Sequence, residues 1–366
     1  MVPDDDHRHM QRALELAQRG EGRVEPNPMV GCVLVRQGVV VGEGWHQRFG
    51  GPHAEAEALS AAGDAARGAT AYVTLEPCCH HGKTPPCADA LLAAGVQRVV
   101  VATSDPHPLV SGQGLARLSE AGVVVDVGLL APEAERLVAP FDKLMTRGRP
   151  WVIAKWAMSC DGKLATRAGE SRWISGEESR AVVHALRGRV DAVVAGRGTV
   201  EADDPLLTAR PPGPRTPTRI VLDSLAQLAA ESQLVRTLDE APVLVAAGPD
   251  APPDRCERLR SLGVEVWQAT ATDFCARWTQ LLEMLGQRQM TNVLVEGGAQ
   301  TLGSLLDARE IDEVHVFVAP RLFGGAAAPS PVAGSGFAAV SESLTLEPCV
   351  VQRCGDDAYL SGRVRR

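Results

Sequence analysis

Apolar positions in the first half of the chain follow two periods in turn. Met10, Ala13, Leu14 and Ala17 recur at i, i+3, i+4 and i+7, which predicts an amphipathic helix over residues 7–19, closed by Gly20 and Gly22. Pro26-Asn27-Pro28 makes a stiff turn. Two apolar runs, 29–35 and 39–41, then flank Gln37-Gly38 and predict a β-hairpin. A helix over 53–61, a strand over 71–75, a short helix from Cys87 stopped by Gly95, a strand over 98–102, a helix near 112–121 and a strand over 123–127 complete the pattern. This alternation predicts a three-layer α/β domain, with a sheet order that the pattern does not reveal.

Residues 141–150 read as a junction, so the expected domains are 1–148 and 149–366. Beyond it, apolar runs predict strands at 151–156, 192–195, 219–222, 243–246, 264–267, 292–295 and 314–318. Helical periodicity is expected around 177–187, 274–286 and 299–307. The second half is therefore a second α/β domain with its own sheet.

Composition narrows the function classes. At 366 residues, two domains are the prior expectation. A net charge of -8 and 4% aromatic residues argue against a nucleic-acid binder, which uses basic grooves and stacking rings. The acidic start, Met1-Val2-Pro3-Asp4-Asp5-Asp6, has no apolar core of a signal sequence, and no long apolar run suggests a membrane span. Nine cysteines, an odd number and scattered except around Cys78, read as reduced thiols plus a metal site. A cytoplasmic enzyme is the expectation.

The candidate chemistry of the first half lies between His53 and Cys87. One imidazole and two thiolates form a three-ligand set for Zn²⁺ whose fourth position stays open to water, the catalytic arrangement. Zn²⁺ lowers the pKa of such a water to about 7. Glu55, two residues after His53, is the candidate acid/base. His-x-Glu followed by Pro-Cys is the pattern of zinc nucleobase deaminases, in which the Glu is not a ligand. Here Cys78 and Cys87 are separated by eight residues instead of the usual two. Cys79 could replace Cys78, and Cys79, His80 or His81 could close the site as a structural one, although Glu55 would then have no role. Cys87 opens a helix, where a thiol is expected to ionise more easily.

In the second half, 293–304 runs from an apolar strand through Glu296-Gly297-Gly298 into a helix. Glycine lets a ligand approach the backbone, and a helix N-terminus offers free N–H groups to a phosphate. The Gly-x-Gly-x-x-Gly fingerprint is absent. Polar strand ends at 155–163, 171–175 and 196–210 suggest a site at one edge of the sheet, where open α/β sheets bind ligands.

These stretches together resemble the bifunctional riboflavin-biosynthesis deaminase–reductase family. The resemblance rests on Pro26-Asn27-Pro28-Met29-Val30-Gly31, His53-Ala54-Glu55, the Cys78–Cys87 signature, Ser159-x-Asp161-Gly162-Lys163, Ala202-Asp203-Asp204-Pro205 and Glu296-Gly297-Gly298, in the family's order across both halves. It implies a cytidine-deaminase-like domain followed by a dihydrofolate-reductase-like α/β domain. The implied cofactors are Zn²⁺, on His53, Cys78 and Cys87, and NADPH. The implied reactions are deamination of 2,5-diamino-6-ribosylamino-4(3H)-pyrimidinone 5′-phosphate and reduction of the ribosyl group of the product to ribityl.

By the same resemblance, Asn27, His46, Lys83 and Asp105 contact substrate in the first site. In the second, Ala157, Trp173, Thr199, Asp203, Ser224, Gly298, Ala299, Gln300, Thr301, Leu302, Gly303 and Ser304 contact NADPH. Ser171, Arg187, Leu207, Arg210 and Glu296 contact substrate, Lys155 donates or orients a proton, and Arg187 and Arg210 could hold the substrate phosphate. A homo-oligomer, dimer or tetramer, is expected. Val24-Glu25 and Cys160 depart from the family pattern, the latter reading as a packing change. The rival readings are a deaminase of another base with a nucleotide-binding second domain, and a zinc-stabilised nucleic-acid-binding module.

Overall fold

The computed structural model describes residues 4–79, 86–106 and 111–365. The chain forms two compact units, Met1–Gly148 and Arg149–Arg366.

The first unit contains α1 (Asp4–Gln18), β1 (Gly31–Arg36), β2 (Val39–Trp45), α2 (Ala54–Ala62), a 3-10 turn (Gly63–Ala66), β3 (Thr70–Leu75), α3 (Cys87–Ala93), β4 (Arg98–Thr103), α4 (Gln113–Glu120), β5 (Val124–Val127) and α5 (Ala131–Arg147). Its sheet runs β2-β1-β3-β4-β5. β1 is antiparallel to β2 and β3, while β3, β4 and β5 are parallel. The hairpin turn falls at Gln37 and Gly38, whose φ values of 52° and 76° are those a type I′ turn requires. Alternation along the strands separates two cores. Cys32, Leu34, Ala71, Val73, Val99 and Val101 pack with Ala54, Ala58, Leu91 and Leu118 from α2, α3 and α4. Val33, Val35, Tyr72 and Val100 pack on the other face with Met10, Ala13, Leu14 and Ala134 from α1 and α5. The unit is thus three-layered.

The segment read as a junction is not a linker over its first part. Residues 141–147 are the last two turns of α5, which continues through Pro140 and ends at Gly148 with φ 64°. The helix breaks where glycine supplies a left-handed cap.

The second unit contains β6 (Trp151–Ser159), α6 (Glu177–Arg187), β7 (Ala192–Gly196), α7 (Arg197–Asp203), β8 (Thr218–Leu222), α8 (Gln233–Arg236), β9 (Val243–Ala247), α9 (Pro253–Ser261), β10 (Glu265–Gln268), α10 (Phe274–Gln287), β11 (Asn292–Val295), α11 (Ala299–Asp307), β12 (Glu313–Ala319), a 3-10 turn (Val340–Glu342), β13 (Thr345–Cys354) and β14 (Asp357–Arg365). The sheet order is β10-β9-β8-β7-β11-β6-β12-β14-β13. The strands from β10 to β12 are parallel, and β14 and β13 add an antiparallel edge. Val193, Val221, Val245 and Leu294 face Leu186 of α6 and Leu259 of α9. Val194, Ile220, Leu244 and Val295 face Trp278 and Leu282 of α10 and Leu302 of α11. Residues buried on both faces give the near-continuous apolar runs seen in the sequence.

Candidate functional sites

Close packing of α2 on β2 sets the position of the first site. Gly42 and Gly44 lie on the same face of β2. A Cβ at Gly44 would come within 2.3 Å of the Ala54 carbonyl, and one at Gly42 within 2.3 Å of the Ala58 carbonyl. Glycines on the strand and alanines on the helix therefore let the two backbones touch. The N-terminus of α2 carries His53 as its N-cap, and Glu55 lies in its first turn.

Cys78 leaves the end of β3, and Cys87 opens α3. His53 Nδ1 lies 3.3 Å from Cys87 Sγ and 3.6 Å from Cys78 Sγ, and the three ligand atoms all lie within 4.8 Å of one another. One nitrogen and two sulfurs at this spacing suit Zn²⁺ with a free fourth position. Cys79 is turned away, its sulfur 3.8 Å from Gln113 Oε1. His80, His81 and Lys83 lie outside the described residues.

Glu55 is 3% exposed, and burial pushes its carboxyl up to about 7. The hydrogen bond to Cys78 raises the His53 imidazole. At the start of α3 the Cys87 backbone N–H donates to Cys78 Sγ at 3.4 Å. Hydrogen bonding from Cys87 lowers the Cys78 thiol to about 4, while sharing its proton with Cys78 and burial push the Cys87 thiol up. The first amide of α3 adds to this by supporting charge on the Cys78 sulfur.

Asn27 and His46 stand together beside the triad. Asn27 Nδ2 is 3.1 Å from His46 Nε2, and His46 Nδ1 is 2.8 Å from the Pro52 carbonyl. The rings of His46 and His53 meet edge-on with centroids 5.5 Å apart. Burial lowers the His46 pKa, so its ring is neutral at pH 7. Glu25 is a local support: its carboxylate accepts from the Gly22 N–H at 2.9 Å.

Glu76 is a residue that the sequence reasoning passed over. Its two carboxylate oxygens accept from the backbone N–H groups of Asp105, Gly112, Gly114 and Leu115 at 3.0–3.4 Å. It ties the loop that carries Cys78 to the buried Asp105 and to the start of α4. Its place immediately before Pro77-Cys78 was the available signal.

The second site gathers at the C-terminal ends of β6, β7, β8 and β11. Glu296, just beyond β11, accepts from Arg187 Nε at 2.5 Å and Nη2 at 2.9 Å, and Lys155 Nζ lies 3.7 Å away. Burial alone would raise the Glu296 carboxyl, but the Arg187 and Lys155 charges outweigh it and hold it at about 2. Burial lowers the Lys155 ammonium, with Glu296 opposing. The Arg187 fork expected for phosphate is thus occupied by Glu296. Arg210 instead donates to Thr208 Oγ1 at 3.1 Å.

Gly297, with φ 53°, turns the chain into α11, and the Gly298 N–H donates to Thr199 Oγ1 at 3.0 Å. A Cβ on Gly298 would stand 3.2 Å from that hydroxyl. Such a Cβ would meet nothing else within 4 Å, so the turn leaves room beside the N-terminus of α11 for a phosphate, the kind of group NADPH presents. Ala299 and Gln300 continue it, whereas Thr301, Leu302 and Gly303 are buried and Ser304 accepts from Trp278 Nε1 at 3.0 Å. Ser171 donates to Asp203 at 2.9 Å, and Ser224 accepts from Arg277 at 2.8 Å. Ala157 lies near the end of β6, and Trp173 is 63% exposed with Arg180 4.8 Å above its ring. Leu207 is a buried core residue. Asp161 pins a loop, accepting from Ser159 Oγ and from the Phe323 and Gly324 amides. Cys160 is exposed, so its departure from the family pattern is not a change in core packing.

An N,S,S ligand set beside a buried carboxylate in a three-layer unit is the arrangement of a zinc-dependent deaminase, and the α/β unit that follows carries a glycine turn suited to a nucleotide phosphate. Residues 3–103 match the cytidine and deoxycytidylate deaminase zinc-binding region, and residues 150–360 match the RibD C-terminal domain. The chain is 42% identical over 352 residues to riboflavin biosynthesis protein RibD of Actinobacillus pleuropneumoniae, covering 96% of this chain and 93% of that one. It is 43% identical over 332 residues to the same protein of Escherichia coli, covering 87% and 89%. Acinetobacter baumannii RibD superposes with a TM-score of 0.86 at 38% identity, covering 99% of both chains. A Thermotoga maritima diaminohydroxyphosphoribosylaminopyrimidine deaminase/5-amino-6-(5-phosphoribosylamino)uracil reductase superposes with a TM-score of 0.84 at 35% identity, again over 99% of both.

The chain belongs to the RibD family of bifunctional riboflavin-biosynthesis enzymes. It is a deaminase and a reductase, and its cofactors are Zn²⁺ and NADPH. Among the described residues, no helix is long and apolar enough to cross a membrane.

Proposed function

We propose that the first unit, residues 1–148, hydrolyses the exocyclic amine of 2,5-diamino-6-ribosylamino-4(3H)-pyrimidinone 5′-phosphate. The second, residues 149–366, then reduces the ribosyl group of the product to ribityl. The observation that carries this reading is the convergence of His53, Cys78 and Cys87 next to a buried Glu55, which lies in the first turn of the helix that His53 caps. A Zn²⁺ held by the three ligands supplies an acidified water and a Lewis acid. Glu55 takes the proton of the attacking water and returns protons to the ring and to the departing ammonia, the work of a general acid/base. Neutral His46 and Asn27, with Lys83 and Asp105, hold the pyrimidine and its ribosyl phosphate.

In the second unit, NADPH supplies the hydride, and the residues position it. The Gly298 turn and the start of α11, within the Gly298–Ser304 stretch, hold a cofactor phosphate, with Ala157, Trp173, Thr199, Asp203 and Ser224 as further cofactor contacts. Glu296 and Ser171 hold ribosyl hydroxyls beside Leu207, while Arg210 and the remaining Arg187 N–H groups meet the substrate phosphate. Lys155, buried and paired with Glu296, orients the opened sugar or gives it a proton. All nine cysteines are free, which fits a reducing cytoplasm. The working form is a homo-oligomer, a dimer or tetramer. A coupled assay on purified protein, following ammonia release and NADPH loss together, tests the reading. Ammonia release without later NADPH consumption removes the second half of it.

A further inference from the structure

A cationic group stands at the C-terminal ends of β8 and β9, beyond the glycine turn. Arg277, in the first turn of α10, donates from Nη1 to the Ser224 hydroxyl and from Nη2 to the Thr272 carbonyl, each at 2.8 Å. Its guanidinium lies 5.0 Å above the Phe274 ring, which fixes its plane. Its Nε is buried and has no hydrogen-bond partner. Both of its partners are neutral, and among the described residues no carboxylate pairs with it. The neighbouring Arg197 differs, since it pairs with Glu201 and stands 3.8 Å from Asp223.

The sheet places this group in line with the cofactor turn. β11, β7, β8 and β9 are successive neighbours. Strands about 4.8 Å apart put the end of β8 roughly 10 Å from that of β11. Dinucleotides lie across such strand ends. There, an acidic side chain accepts from the adenosine ribose 2′-hydroxyl, or an arginine accommodates a 2′-phosphate. Here the acid is withdrawn: Asp223, the residue before Ser224, is 1% exposed and accepts from the Gln227 and Leu228 amides at 2.5 and 2.8 Å. A hydroxyl and a guanidinium remain.

We propose that Arg277, supported by Ser224, binds the 2′-phosphate of NADPH and selects it over NADH. This rests on the reading of the β11–α11 turn as the seat of the cofactor's pyrophosphate. The phosphate gives the guanidinium the counter-charge it lacks and Nε–H a partner, in the charge-assisted contacts that arginine makes best.

The test is calorimetric titration of the full chain with adenosine 2′,5′-bisphosphate and adenosine 5′-monophosphate, which differ only in the 2′-phosphate. Wild-type protein is expected to prefer the bisphosphate by roughly 10- to 100-fold, the range of a charge-assisted contact. Arg277→Gln should erase that preference without weakening the monophosphate. Arg277→Lys should keep part of it, and Ser224→Ala should lose less than Arg277→Gln. Fluorescence titration with NADPH and NADH should follow the same order. A folded Arg277→Gln protein that keeps the preference, or that weakens both probes equally, overturns the assignment. Wild-type protein that binds neither NADPH nor the bisphosphate instead overturns the cofactor reading of the glycine turn beneath it.

Discussion

Glu296 and Arg187 form a two-pronged ion pair at 2.5 and 2.9 Å, with side chains 8% and 12% exposed. The pair joins the end of β11 to the last turn of α6, and Lys155 on β6 adds a second cation. Among the described residues the Glu296 carboxylate is the acid that both cations contact, so removing it leaves buried positive charge without compensation. Such a break costs about 3–5 kcal/mol.

The pH dependence follows from the same pair. The Glu296 carboxyl is held at about 2, below its ordinary 4.5. Its contribution to stability is therefore complete above pH 4.5 and is lost as pH falls through 2. Denaturant unfolding of wild type should weaken across that window by a few kcal/mol more than Glu296→Gln does. Glu313, also held at about 2 against the upward push of its burial, keeps its own part of the slope in both proteins. Equal slopes for the two would show that Glu296 is not ionised in the native pair.

Glu55→Gln keeps the shape of the side chain and removes its ability to take a proton. The three ligand atoms are untouched, so the variant is expected to retain about one zinc per chain. Deamination should fall by roughly 10²–10⁴-fold. Elemental analysis and ammonia release, measured on the same preparation, decide it: full turnover in the variant removes Glu55 from the mechanism.

Gly44→Val tests how the site is positioned. A Cβ there would stand 2.3 Å from the Ala54 carbonyl and 2.4 Å from the Ala58 amide, both backbone atoms of α2 that cannot yield cheaply. The helix must shift, and His53 and Glu55 shift with it. The expected result is reduced zinc content and lost deamination, with about 1–3 kcal/mol or more of destabilisation and NADPH-dependent reduction retained. Normal zinc content and turnover would show that the α2–β2 contact does not set the site.

Local patterns carried much of this architecture. The helices expected at 177–187 and 299–307 coincide with α6 and α11, because apolar periodicity and flanking glycines mark their ends. The hairpin was legible because Gln37-Gly38 supplies the turn. The strands β13 and β14 were not: β13 is an exposed antiparallel edge in which Pro348 and polar positions flank the short run Cys349-Val350-Val351, so its signal is weak. No helix was expected where α5 lies: Pro140 reads as a break, and its last turns were read as part of the junction, yet the helix accommodates the proline. In the sites, His53, Cys78 and Cys87 were legible by residue type and spacing. The Arg187–Glu296 pair joins residues 109 apart, and only the packing of α6 against the sheet brings them together. Glu76 was similarly obscure, since its partners are backbone amides that carry no side-chain signal.

Separate substitutions should uncouple the two activities. The zinc ligands all belong to Met1–Gly148 and the glycine turn to Arg149–Arg366, and each unit has its own sheet and cores. Damage confined to one site therefore need not unfold the other unit. Cys78→Ser removes a thiolate ligand and should abolish ammonia release while leaving reduction of supplied deaminated substrate. Gly298→Val places a branched side chain where even a Cβ would stand 3.2 Å from Thr199 Oγ1, filling the space a phosphate would enter. It should impair reduction and spare deamination. Circular dichroism establishes that each variant is folded before its activities are compared. If well-folded Cys78→Ser and Gly298→Val proteins each lost both activities, the two sites would not be independent, and obligatory coupling between the units would be the better account.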